Sequence, residues 1–122
     1  MEQKINLSKV LPLTETTLFT LLATLHGKQG EFALKYIEEN THKNVKLTLE
    51  QYYDLLKKMR NKHLVVQISS EHKENKNPIF VITPLGQEVI LLELKRLKSV
   101  IDKLNSSIKE IKVFNEQSKT SH

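Results

Sequence analysis

At 122 residues without a cysteine, the chain is long enough for one domain and an appendage, and it has no means of building a disulfide framework or a thiolate metal site. Its formal charge of +5 is uneven: residues 42–76 carry 8 basic and 4 acidic side chains, against 4 and 5 in residues 1–41 and 7 and 5 in residues 77–122. No apolar run reaches the length of a membrane span and the opening MEQKINLSKVLPLTE lacks a signal-type apolar stretch, so a cytoplasmic protein with no membrane partner is expected.

The first periodic segment covers residues 14–25, where Leu18, Leu21, Leu22 and Leu25 recur at helical spacing behind Thr14 as N-cap. The two glycines of HGKQG then stop the helix and allow a turn. Helical spacing resumes over residues 31–40 through Phe32, Leu34, Tyr36 and Ile37, and the polar NTHKN ends it.

A third helix begins at Thr48 with a capping box: the Thr48 hydroxyl is placed for the amide three residues on, and Gln51 reaches back to the Thr48 amide. On a helical wheel Leu49, Tyr52, Tyr53, Leu56, Met59 and His63 fall on one side, and Glu50, Gln51, Asp54, Lys57, Lys58 and Asn61 on the other. The β-branched runs LVVQIS (64–69) and PIFVIT (78–83) read as strands, and the polar SEHKENKN between them has the length of a hairpin loop, so the two make a wing.

Thr83 followed by Pro84 is an N-cap with proline at the first helical position, where its missing N–H costs nothing, although Gly86 is a poor helix residue. From there Ile90, Leu94, Leu97, Ile101, Leu104, Ile108 and Ile111 alternate spacings of four and three, which is a heptad seam. Isoleucine at a and leucine at d suit two strands. A domain this small offers little surface for so long a stripe, so a second copy of the chain is the expected partner and the protein is expected to be a homodimer.

The expected fold class is mainly α with a small β-wing: a winged helix-turn-helix followed by a long C-terminal dimerisation helix. The expected division is residues 1–83 for the winged domain, 84–114 for the dimerisation helix and 115–122 for a flexible tail. That architecture, with its basic middle third, points to double-stranded DNA. Lys46, Lys57, Lys58, Lys73 and Lys76 are candidate phosphate contacts, which position a protein on the duplex. Gln51 and Asn61 are candidate base readers, since an amide can pair bidentately with adenine. Thr48 completes the candidate surface; Tyr52 and Tyr53 fall on the core side of the wheel, and their place among the candidate contacts rests on the family resemblance given below. Glu50 and Asp54 lie on the same face and repel phosphate, though a carboxylate can accept from cytosine N4.

Nothing in the chain asks for catalysis. Its five histidines are scattered, it has neither a Gly-rich phosphate loop nor a Gly-x-Ser-x-Gly elbow, and Glu38 with His42 supplies two ligands of metal-like spacing where a structural site needs four. No enzyme activity, catalytic residue, metal or cofactor is therefore expected.

Several stretches also resemble one family. LFTLLATLHGKQGEFALKYIEENT is similar to the first two helices of the PadR family of bacterial transcriptional regulators, with Gly30 at the glycine of its His-Gly-Tyr turn and Gln29 and Glu31 replacing the His and Tyr. YDLLKKMRNKHLV resembles its Tyr-x-x-Leu-x-x-Leu helix, with Tyr53, Leu56 and Met59 at those positions and His63 where a glycine is usual. IFVITPLGQEV resembles its wing strand entering Leu-Thr-x-x-Gly, with Thr83 and Gly86 matched. The resemblance spans roughly residues 13–104 and implies a transcriptional regulator of the type with a short C-terminal helix; a repressor is expected, and the symmetry of a homodimer calls for an inverted-repeat operator. It also draws Tyr53 toward the DNA surface; regulators of the family often bind small aromatic or cationic effectors near the dimer interface, but the resemblance does not carry that over to this chain, and a small-molecule effector stays open as a partner of unknown identity. In place of the family's arginine-rich wing this chain has HKENKN, where Glu71 and Glu74 offset Lys73 and Lys76. Two other roles fit the same architecture: plasmid or phage partition or replication control on repeated sites, and a winged helix used for protein contacts.

Overall fold

The computed structural model describes residues 10–68 and 78–120, with the backbone alone for 114 and 116–120. Helix α1 (Glu15–Leu25) starts where Thr14 Oγ1 accepts from Thr17 N at 3.1 Å. Past its C-cap His26 comes Gly27, whose φ of 70° lets the chain turn back so that the Lys28 amide donates to Ala23 O at 2.8 Å. Helix α2 (Gly30–Asn40) follows, then α3 (Leu49–Asn61) with the full capping box: Gln51 N donates to Thr48 Oγ1 at 3.1 Å and Thr48 N to Gln51 Oε1 at 2.9 Å. Strands β1 (Val65–Ile68) and β2 (Ile79–Ile82) pair antiparallel in the register Val65 with Ile82 through Ile68 with Ile79. Helix α4 runs Pro84–Thr120. The molecule is thus mainly helical with a two-stranded sheet, a winged helix-turn-helix carrying a long C-terminal helix. Among the described residues no helix is long and apolar enough to cross a membrane.

The core joins α1, α2, α3, the sheet and the first turns of α4 through Leu21, Ala33, Ile37, Tyr52, Leu56, Phe80 and Val89. Its exact faces differ from the sequence reading in two helices. On α1 the buried row is Thr20, Leu21, Ala23 and Thr24, while Leu25 lies outside. Thr24 is admitted because its hydroxyl donates to Leu21 O at 2.6 Å. On α2 the buried residues are Ala33 and Ile37, and Phe32 is 76% exposed. Close packing selects the small side chain where helices meet, and helical spacing alone does not show which neighbour that will be.

Two further expectations change. His63 does not continue the apolar face of α3: it is exposed just past the helix, at φ 64°, and so occupies the left-handed turn a glycine would take easily. The expected tail from 115 is helical through Thr120. NEQSK contains no helix breaker, so propagation continues at little cost.

Gly86, unfavourable by propensity, is explained by the junction of α4 with the sheet. A Cβ there would lie 2.3 Å from Leu64 O and 2.8 Å from Ile82 Cγ1. The helix start is therefore pressed against the backbone entering β1. Thr83 pins it: its amide donates to Leu64 O at 3.0 Å, its hydroxyl donates toward His63 O at 2.7 Å and Leu64 O at 3.0 Å, and the same oxygen accepts from Gly86 N at 3.0 Å. The Thr-Pro-x-Gly run is a physical unit, a cap combined with a close approach.

Candidate nucleic-acid interface

Helix α3 turns Tyr52, Leu56 and Met59 into the core and leaves Glu50, Gln51, Asp54, Lys57, Lys58 and Asn61 exposed, which is the two-faced arrangement its periodicity predicts. Lys46 is exposed in the segment leading to it. The ion pair found among the described residues is Arg96 with Glu93, so Glu50 and Asp54 do not sequester the α3 ammonium groups. Lys57 and Lys58 extend into solvent unclaimed by any described carboxylate, and the face is mixed in charge.

Thr48 and Gln51 are exposed but engaged with each other. The capping box takes one lone pair of the Gln51 carbonyl oxygen and fixes the side chain over the start of α3, leaving its Nε2 donors unengaged. Tyr52 is a correction: it is fully buried, its ring packs edge-on to Tyr53 with centroids 5.2 Å apart, and it is a core residue with no surface to present to DNA. Tyr53 is half-buried at the rim, and burial pushes its phenol above the usual tyrosine range. Asn61 is exposed at the last turn of α3. Lys73 and Lys76 lie outside the described residues.

Three residues outside the candidate set hold this surface in place. Arg60 Nη1 donates to Gln67 Oε1 at 2.6 Å, tying the end of α3 to β1. Gln29 is the N-cap residue of α2, but its side chain makes no capping bond; its Nε2 donates to Phe80 O at 2.9 Å and its Oε1 accepts from Phe80 N at 3.4 Å, so one side-chain amide acts as a third strand along the edge of β2. Glu93, 1% exposed, accepts from the Leu13 amide and from Arg96 Nε, joining the segment before α1 to α4. Only Gln29 carried a signal in the sequence, a polar residue at the turn where the family resemblance has another.

Of the seven seam residues, Ile90 and Leu97 are partly covered by their own domain, and Leu94, Ile101, Leu104, Ile108 and Ile111 are each close to half exposed. Every residue of 98–113 is exposed, so α4 leaves the head and continues for about 24 Å as a free helix.

No family model matches the chain, and no curated protein matches its sequence. Its fold is similar to that of a transcriptional regulator from Clostridium thermocellum, Cth-833, with a TM-score of 0.62 and 13% identity over 74% of this chain and 89% of that one. It is also similar to the complex structures of hsRosR-S1, with a TM-score of 0.59 and 17% identity over 87% of this chain and 94% of that one, and of hsRosR-S4, with 0.60 and 18% over 91% and 96%. At these identities the shared property is the fold: a winged helix-turn-helix with a long C-terminal helix.

Proposed function

We propose that this chain is a sequence-specific, double-stranded-DNA-binding transcriptional regulator, a PadR-like repressor that acts as a homodimer on an inverted repeat. The observation that carries the reading is the free length of α4, because an isolated helix of that length is marginal in water and its apolar row demands a partner. A second copy supplies a matching row by twofold symmetry. Pairing of two α4 helices presents two α3 faces to one duplex, which calls for half-sites about one helical turn apart. Lys46, Lys57 and Lys58 grip phosphate, with Lys73 and Lys76 doing so on the wing; Asn61, the free Gln51 donors and the Tyr53 rim face the groove. The molecule works by binding, without catalysis. Its similarity in fold to a bacterial transcriptional regulator supports this reading.

The test is selection of bound fragments from random and host DNA, combined with sedimentation of Leu104→Asp. An inverted-repeat motif, lost together with the dimer in the variant, is the expected result. A footprint of a single asymmetric site bound by a monomer refutes the reading. Glu50 and Asp54 on the outer face of α3 favour a second reading, a winged helix that binds protein, and absence of any duplex shift at low ionic strength would select it. Arrays of direct repeats among the selected fragments would instead indicate partition or replication control.

A further inference from the structure

Among the described residues Glu93 is the buried charged side chain, and it takes no part in the face offered by α3. Its Oε2 accepts from the Leu13 amide, 80 positions earlier in the chain, and its Oε1 from Arg96 Nε. A buried ion pair is commonly no more stabilising than apolar side chains of similar volume, so stability alone does not call for a carboxylate here. What the carboxylate adds is direction. It makes two charge-assisted hydrogen bonds with fixed partners, one of them the backbone just ahead of Thr14, the N-cap of α1.

Helix α4 is therefore held to the head at two directional points. The first is the junction of Thr83 and Gly86 with the backbone of Leu64. The second is Glu93, about 10 Å further along the helix axis. Val89, Ile90 and Leu97 pack around these points, but apolar contacts are non-directional and do not by themselves aim the helix. The seam runs on to Ile111, about 37 Å from Gly86. With Gly86 as pivot, about 1 Å of play at Glu93 becomes about 3.5 Å at Ile111, close to one base-pair step of a duplex.

We infer that Glu93 is a positioning residue for operator recognition: by clamping α4 to the entry of α1 it fixes the angle between head and paired helices, and with it the half-site spacing the dimer accepts. The inference rests on the homodimeric DNA-binding reading and names the determinant of its spacing. Each protomer carries one clamp, so by twofold symmetry any play enters twice.

The chain has no cysteine, so Glu39→Cys on the exposed end of α2 places a single spin label on each protomer. Pulsed dipolar spectroscopy of the full-length dimer without DNA then reads the distance between heads. The labelled parent and its Glu93→Gln derivative, whose amide oxygen still accepts from Leu13, should each give one narrow distribution. Glu93→Met, of like length but without an acceptor, should broaden it at least about twofold. Equal widths in the methionine variant and the parent overturn the inference, as does a glutamine variant as broad as the methionine one. Should Glu93→Met fail to fold by circular dichroism, Leu13→Pro withdraws the donor instead and is read in the same way. Binding to inverted repeats whose spacers differ by single base pairs reads the consequence. The parent and Glu93→Gln should prefer one spacer by about tenfold and Glu93→Met by about twofold, with affinity for an isolated half-site unchanged. A preference kept in full by Glu93→Met overturns the spacing role. A parent without dipolar coupling refutes the homodimer and the inference with it. A dimer whose distance depends on Glu93 as described but which binds no duplex at any salt upholds the clamp and refutes the DNA-binding reading, so the two failures are separable.

Discussion

Gly86→Ala sets two effects against each other. By helix propensity alone, replacing glycine with alanine inside a helix stabilises by about 1 kcal/mol. In the folded molecule the new Cβ would sit 2.3 Å from Leu64 O and 2.8 Å from Ile82 Cγ1, so relief requires a shift of about 1 Å between α4 and β1 to reach ordinary contact. The obstructing atom is a backbone carbonyl that receives both the Thr83 amide and its hydroxyl, and it cannot swing aside without breaking them. Overpacking of this kind costs about 3 kcal/mol when backbone must move, which leaves a net loss of about 2 kcal/mol. For a domain of this size that is a fall in Tm of about 8 °C. Thermal and urea unfolding followed by circular dichroism at fixed protomer concentration reads it, since association also shifts apparent stability. Ser106→Ala, on the exposed stretch of the same helix, is the control and should gain about 0.4 kcal/mol from propensity alone. A Gly86→Ala protein as stable as the parent would show that α4 is not seated on the sheet in this way.

The buried Tyr52 hydroxyl has no hydrogen-bond partner among the described residues, so Tyr52→Phe should raise unfolding free energy by about 1 kcal/mol at neutral pH. Burial, with a smaller contribution from Tyr53, pushes the Tyr52 phenol above its ordinary value. Its proton is therefore kept in the folded state while the unfolded chain releases it above about pH 10, and parent stability falls there by up to about 1.4 kcal/mol per pH unit. The phenylalanine variant should lose less over that window, and parallel pH profiles would contradict the assignment. Gln29→Ala leaves the Phe80 amide and carbonyl without their cap and should cost about 1–2 kcal/mol, with faster hydrogen exchange at Phe80 as its signature. Lys57→Ala with Lys58→Ala should weaken binding to all duplexes alike and reduce the salt slope by about two; an unchanged slope would remove both lysines from the interface.

Local signals were sufficient wherever one short stretch carries its own physics. The Thr48 capping box, the Thr14 and Thr83 caps, the turn at HGKQG and the β-branched strands all lie where the residues put them, because a cap, a left-handed glycine or a β-branched run acts over a few neighbours. The heptad row of α4 was legible for the same reason, periodicity being a property of the helix itself.

What only the tertiary structure decided is which of several equivalent side chains meets a neighbour. The tyrosines at 52 and 53 are alike in sequence and fall on the same side of the wheel, yet one is sealed in the core and the other stands at the rim, because the neighbouring elements cover one more fully than the other. Phe32 against Ala33, the buried Glu93, the amide of Gln29 serving as a strand and the need for glycine at 86 are likewise contacts between elements far apart in the chain. Burial and close approach depend on where other segments come to rest, and no window of sequence contains that information.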